Sequence, residues 1–204
     1  MAALQEIDTV AAEIAAEQAE HSAERAFGFW IYLMSDAVIF ALLFATYAVM
    51  STRTAGGPDG HALFHLTHTF GETMLLLASS AAFGFASLAL GAGRRGPVLA
   101  WLLVTFALGL GFVVMEASEF AGMIRHGAGP DRSGFLSAFF TLVGTHGLHV
   151  SMGLAWILIL GAQIVLRGLT PLAASRLYRL GLFWHFLDVI WIAIFSVVYL
   201  PGIR

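Results

Sequence analysis

From Gly28 onward, apolar residues run in five long stretches, at about residues 28–50, 70–91, 98–122, 135–166 and 180–200. Each reaches the roughly 20 residues that a helix needs to cross a bilayer core about 30 Å thick. The runs are continuous and do not alternate over ten-residue segments, so they predict helices and not barrel strands. The fourth is too long for an upright span and is expected to tilt or to project from the membrane. Between them lie TAGGPDG (54–60), GAGRRGP (91–97), GAGP (127–130) and the Thr170-Pro171 pair, the Gly and Pro punctuation that stops helices and starts turns. The expected fold class is an all-α integral membrane protein, a bundle of five transmembrane helices in a domain spanning residues 27–204.

Residues 1–26 follow another pattern. Glu6, Asp8, Glu13, Glu17, Glu20 and Glu24 are set among alanines, with Leu4, Ile7, Val10 and Ile14 at helical spacing. A short amphipathic helix and a polar tail that orders against a partner both fit. The segment lacks a basic stretch followed by a continuous apolar core, so it does not read as a secretory signal and is expected to be retained.

Composition supports the membrane reading, since 59% of residues are hydrophobic and 11% charged, against about a quarter charged in soluble domains. A mean hydropathy of +0.84 leaves little room for a separate soluble domain. All ten basic residues are arginine and the net charge is −3, with no basic stripe of the kind that nucleic acid requires. The absence of cysteine removes disulfides and thiolate metal sites. With a cytoplasmic N-terminus, Arg25, Arg94, Arg95, Arg167, Arg176 and Arg179 lie inside, and Arg53, Arg125, Arg132 and Arg204 outside. Six against four favours that orientation, with the C-terminus outside.

Ionisable residues within spans are costly and mark candidate sites. Asp36 falls about 12 Å into the first span at 1.5 Å per residue, and Glu72 opens the second. Glu116 and Glu119 close the third, His146 and His149 lie in the fourth, and His185 and Asp188 in the fifth. Three of these pairs have the spacing of three that places both on one helix face. Depth sorts the residues into a buried polar layer of Asp36, His149, His185 and Asp188 and an outer layer of Glu72, Glu116 and Glu119. Asp36 is expected to be buried and bonded to His149 or His185, because an unpaired carboxylate in hydrocarbon is expensive. A di-iron bundle needs Glu-x-x-His on two helices plus two further Glu. No such motif occurs, so no metal site is expected. Nothing links the two layers into a proton path. Trp30, Trp101 and Tyr199, near span ends, are expected to anchor at the interface, and Gly84, Ala86, Gly109 and Gly111 to let helices approach closely.

The strings GFWIYLMSD (28–36), MEASEF (115–120), GTHGLHV (144–150) and FWHFLDVIWI (183–192), in this order, resemble subunit III of the haem–copper respiratory oxidases. The resemblance runs from about residue 27 to the C-terminus. The chain resembles the five-span form found in quinol oxidases, and GPDRSGFLSAFF (129–140) is similar to the bo-type ubiquinol oxidase version. The resemblance implies a non-catalytic subunit of a proton-pumping complex that oxidises ubiquinol and reduces dioxygen to water in a bacterial inner membrane. It implies that this chain holds no cofactor, the haems and copper belonging to subunit I, and that its partners are subunits I, II and IV and structural phospholipid. It further implies a lipid cleft between a two-helix and a three-helix group. Asp36 takes the place of the family's buried acid, often Glu. Glu119, His146 and His149 match positions of its polar packing, and Arg94 and Arg95 are candidates for lipid headgroup contact.

Overall fold

The computed structural model describes residues 2–58, 60–63 and 66–202, with side chains from Glu24 onward apart from those of Arg25, His61, Ala62, Leu66 and Gly202. Helix α1 runs Ala2–Met50, α2 Leu66–Gly91, α3 Arg95–Arg125, α4 Gly134–Arg167 and α5 Pro171–Ile194. A π-helical turn, Phe195–Tyr199, continues α5, and one short helical turn, Gly60–Leu63, sits between α1 and α2. Among the described residues, five spans have the length and apolarity to cross a membrane: Ala26–Met50, Thr67–Gly91, Arg95–Arg125, Gly134–Arg167 and Pro171–Tyr199. These are the five expected. The fifth helix begins nine residues before its apolar run because Thr170 caps it, its hydroxyl accepting from the Ala173 amide at 3.1 Å, and Pro171 supplies a first turn already set for helix.

The chain divides into two compact units, residues 1–37 and 38–204. In the first, the backbone is helical from Ala2 onward. The side chains of the acidic, alanine-rich stretch up to Ala23 lie outside the described residues. Leu33 and Asp36, three apart, are buried, while Trp30, Ile31 and Met34 are exposed. Tyr32 lies one turn before Asp36.

In the second unit α2 packs on α3, α3 on α4, α4 on α5 and α5 back on α2, closing a ring of four helices. These contacts do not confirm the two-helix and three-helix groups that the resemblance implied. Each helix turns one face to the ring axis at heptad-like spacing, as on α3, where Val98, Leu102, Thr105, Gly109, Phe112, Glu116 and Met123 are buried. Outward positions such as Leu88, Leu103, Leu148 and Leu166 are exposed, which only lipid or another membrane protein can cover without cost.

The centre of the ring is organised by tryptophan. The Trp184 ring lies between two glycines: a methyl group at Gly109 would sit 2.9 Å from Cη2 and Cζ2, and one at Gly153 2.9 Å from Cζ3. Its Nε1 donates to Ser79 Oγ at 3.1 Å, so one residue of α5 touches all three other helices of the ring. Seven residues on, the Trp191 Nε1 donates to Thr73 Oγ1 at 3.1 Å, and its ring meets Phe112 edge-on at 4.6 Å. Both indoles satisfy their N–H on the hydroxyl-bearing face of α2, an inexpensive solution where no water competes.

Candidate functional site

The residues of the expected outer layer meet at one end of the ring. Thr69, Glu72 and Thr73 open the buried face of α2, and Glu116 and Glu119 lie one turn apart on α3. Ligand atoms of His68, Glu72 and Glu119 all lie within 4.8 Å of one another. His68 Nδ1 stands 3.5 Å from Glu72 Oε1; the His68 side chain is 37% exposed and that of Glu72 0%. The Tyr199 hydroxyl, presented by the π-helical turn, donates to Glu119 Oε2 at 3.4 Å. Glu116 turns towards α4, where its carboxylate lies flat on the backbone of Gly147. Neither oxygen of Glu72, nor Glu116 Oε2, nor His68 Nδ1 has a hydrogen-bond partner among the described residues.

Two members of this site were not among the sequence candidates. His68 lies two residues before the expected span, in what reads as a loop, although its spacing of four from Glu72 was a usable signal. Tyr199 was expected as an interfacial anchor, and that expectation is corrected: it is fully buried. The π-helical turn adds a residue to the helical repeat and so rotates this ring inward, as such bulges do. Trp30 and Trp101 are exposed.

The members expected in the other layer are more dispersed. Asp188 is buried at 6% exposure, but the His185 side chain is 49% exposed, so the expectation of a buried His185 is not met on this chain. The Ser80 hydroxyl and His185 Nδ1 are 2.7 Å apart, and Asp188 Oδ2 lies 3.5 Å from the same nitrogen. A relay through the imidazole needs serine and aspartate on opposite ring nitrogens. With both on Nδ1, this serine–histidine–aspartate set links α2 to α5 and does not activate the hydroxyl. His149 Nδ1 bonds the Thr145 carbonyl of its own helix at 2.7 Å. His146 is fully buried, its Nε2 3.2 Å from the Leu187 carbonyl and its ring 5.2 Å from that of Trp191. Arg94 stands exposed at the N-cap of α3, and the Arg95 guanidinium donates to the Val165 carbonyl.

A groove of about 210 Å³, mostly apolar, opens between the end of α1 and the start of α4, lined by Leu43, Thr46, Met50, Ser137 and Thr141 among others. Arg94, in the α2–α3 connection, and Arg95, the first residue of α3, stand at the opposite helix ends.

A family model described as cytochrome c oxidase subunit III matches residues 10–203. Cytochrome bo(3) ubiquinol oxidase subunit 3 of Pseudomonas putida is 57% identical over 176 residues, 86% of this chain and 85% of that protein. The protein of the same description from Pseudomonas aeruginosa is 56% identical, with 86% and 84% covered. Cytochrome c oxidase subunit 3 of Bacillus sp. (strain PS3) is 43% identical over 175 residues, with 86% and 84% covered.

Proposed function

Because the chain belongs to the cytochrome c oxidase subunit III family, we propose that it is the third subunit of a bo-type ubiquinol oxidase, a terminal oxidase that reduces dioxygen to water and pumps protons. The observation that carries this reading is the similarity, over most of both chains, to third subunits named for bo(3) ubiquinol oxidases. The relative named for a cytochrome c oxidase is more distant. The chain acts as a structural element: its polar side chains bond neighbouring helices, while the haems and copper reside in subunit I. Its exposed apolar outer faces suit contacts with subunit I, with subunits II and IV and with phospholipid. The groove beside Met50 and Thr141 is the place offered to an acyl chain, and Arg94 and Arg95 are offered to headgroups at the other membrane face. His185, with Asp188 beside it, joins α5 to Ser80 of α2 on the cytoplasmic side, and Glu119 takes the Tyr199 hydroxyl on the outer side.

The test is purification of the tagged chain in mild detergent. Co-purification with a large haem-bearing subunit and ubiquinol oxidation by the product is the expected result. A chain that purifies alone, or that binds haem itself, overturns the proposal.

The proposed orientation, N-terminus cytoplasmic and C-terminus periplasmic, rests on the arginine distribution. The lack of native cysteine makes it directly measurable. Asp131→Cys and Ala92→Cys place a thiol on exposed residues in connections at opposite ends of α3. A membrane-impermeant maleimide applied to spheroplasts is expected to label Asp131→Cys and to spare Ala92→Cys until the cells are lysed. The reverse pattern refutes the orientation.

A further inference from the structure

We propose that His68, Glu72 and Glu119 form a binding site for a divalent transition-metal cation at the end of the four-helix ring where α2 begins and α3 ends. The inference does not depend on which electron donor the complex uses. One imidazole nitrogen and two carboxylate oxygens lie mutually within 4.8 Å. Three atoms at the corners of such a triangle stand at most about 2.8 Å from its centre, and zinc bonds to nitrogen and oxygen are about 2.0–2.2 Å. Side-chain rotations of under about 1 Å would therefore close the site on an ion.

The second observation is independent of the spacing. Glu72 is wholly buried, and both of its oxygens lack a hydrogen-bond donor among the described residues. A carboxylate in that position needs a compensating charge or proton. His68 Nδ1 faces it at 3.5 Å, also without a hydrogen bond among the described residues. A buried carboxylate beside an imidazole nitrogen, both without hydrogen-bond partners among the described residues, is an arrangement that a cation would satisfy.

The rest of the surroundings suit an ion that enters from outside. The partly exposed His68 side chain supplies an approach from the membrane face shared by this end of α2 and the end of α3. Tyr199 bonds one oxygen of Glu119, the kind of outer contact that orients a ligating carboxylate. An imidazole with carboxylates and no thiolate selects zinc and its transition-metal neighbours over calcium or magnesium, which prefer all-oxygen sites. Three protein ligands leave a fourth position for water.

The experiment uses the intact complex with which the chain purifies, freed of metal by chelator and dialysed against graded Zn²⁺. Zinc per complex is read by mass spectrometry. The wild type is expected to bind one zinc more than His68→Ala. Affinity in His68→Ala and Glu119→Gln should fall at least about tenfold, the lower end of what even outer-sphere losses cost. His126→Ala, an exposed histidine at the end of α3, should bind as the wild type does. His68 is part-exposed, so its replacement leaves the helix core untouched and assembly should persist. X-ray absorption of the one-zinc complex should show an imidazole in a nitrogen/oxygen shell, lost in His68→Gln. Equal stoichiometry and affinity in wild type, His68→Ala and Glu119→Gln overturn the proposal. So does a zinc shell without that imidazole.

Discussion

Replacing Trp184 with alanine is expected to be the most damaging single change in the membrane domain, at about 3–5 kcal/mol. The indole is buried and stands between α-carbons that carry no side chain, Gly109 on one helix and Gly153 on another. Helices separated by a large flat ring cannot collapse onto an alanine without disturbing the rest of the ring, so most of the cavity persists. The hydrogen bond to Ser79 Oγ is lost as well, and its share is separable. Ser79→Ala removes that bond alone and should cost about 1 kcal/mol. The measurement is the temperature at which the subunit dissociates from the purified complex. At about 2–4 °C per kcal/mol for a domain of this size, Trp184→Ala should lower the midpoint by roughly 10 °C and Ser79→Ala by only a few degrees. Equal effects would mean that the hydrogen bond, and not the ring volume, holds the helices.

Trp184 also illustrates what could be read from the chain alone. The five spans were legible because their signal is length and apolarity, which need no knowledge of neighbours. The partners of each polar residue were not. Seven-residue spacing puts Trp184 and Trp191 on one helix face, but nothing local says that the face opposite offers Ser79 and Thr73. The grouping of helices was equally hidden, since five apolar segments are compatible with a ring of four as well as with a two-plus-three split. Tyr199 was misplaced because a π-helical turn changes the side-chain rotation per residue, and FSVVY carries no local mark of that turn. Depth arithmetic, at 1.5 Å per residue, grouped Glu72, Glu116 and Glu119, and ligand atoms of Glu72 and Glu119 lie within 4.8 Å of each other. It left out His68 because the count began at the first apolar residue, and α2 begins earlier than its apolar run.

The second large effect is expected at Gly147, in the middle of GTHGLHV. A methyl group there would lie 2.6 Å and 2.7 Å from the two carboxylate oxygens of Glu116, closer than non-bonded atoms approach. In the native chain the α-hydrogen of Gly147 points at those oxygens, a weak Cα–H···O contact worth about 0.5–1 kcal/mol, to a group whose Oε2 has no stronger donor among the described residues. Gly147→Ala must turn the buried carboxylate away while Phe112, one turn earlier on α3, is fully buried and leaves little room. Overpacking of this kind costs about 1–3 kcal/mol, beyond the loss of the contact. The argument is specific to one pair and so can be checked by a double-mutant cycle. Against a Glu116→Ala background the carboxylate is gone, and adding Gly147→Ala should cost much less, giving a coupling of about 1–2 kcal/mol within the range found for touching residues. The dissociation midpoint again supplies the readout. Strict additivity of the two substitutions would show that the damage at Gly147 comes from the helix backbone or from another neighbour, and that Glu116 is held by something else.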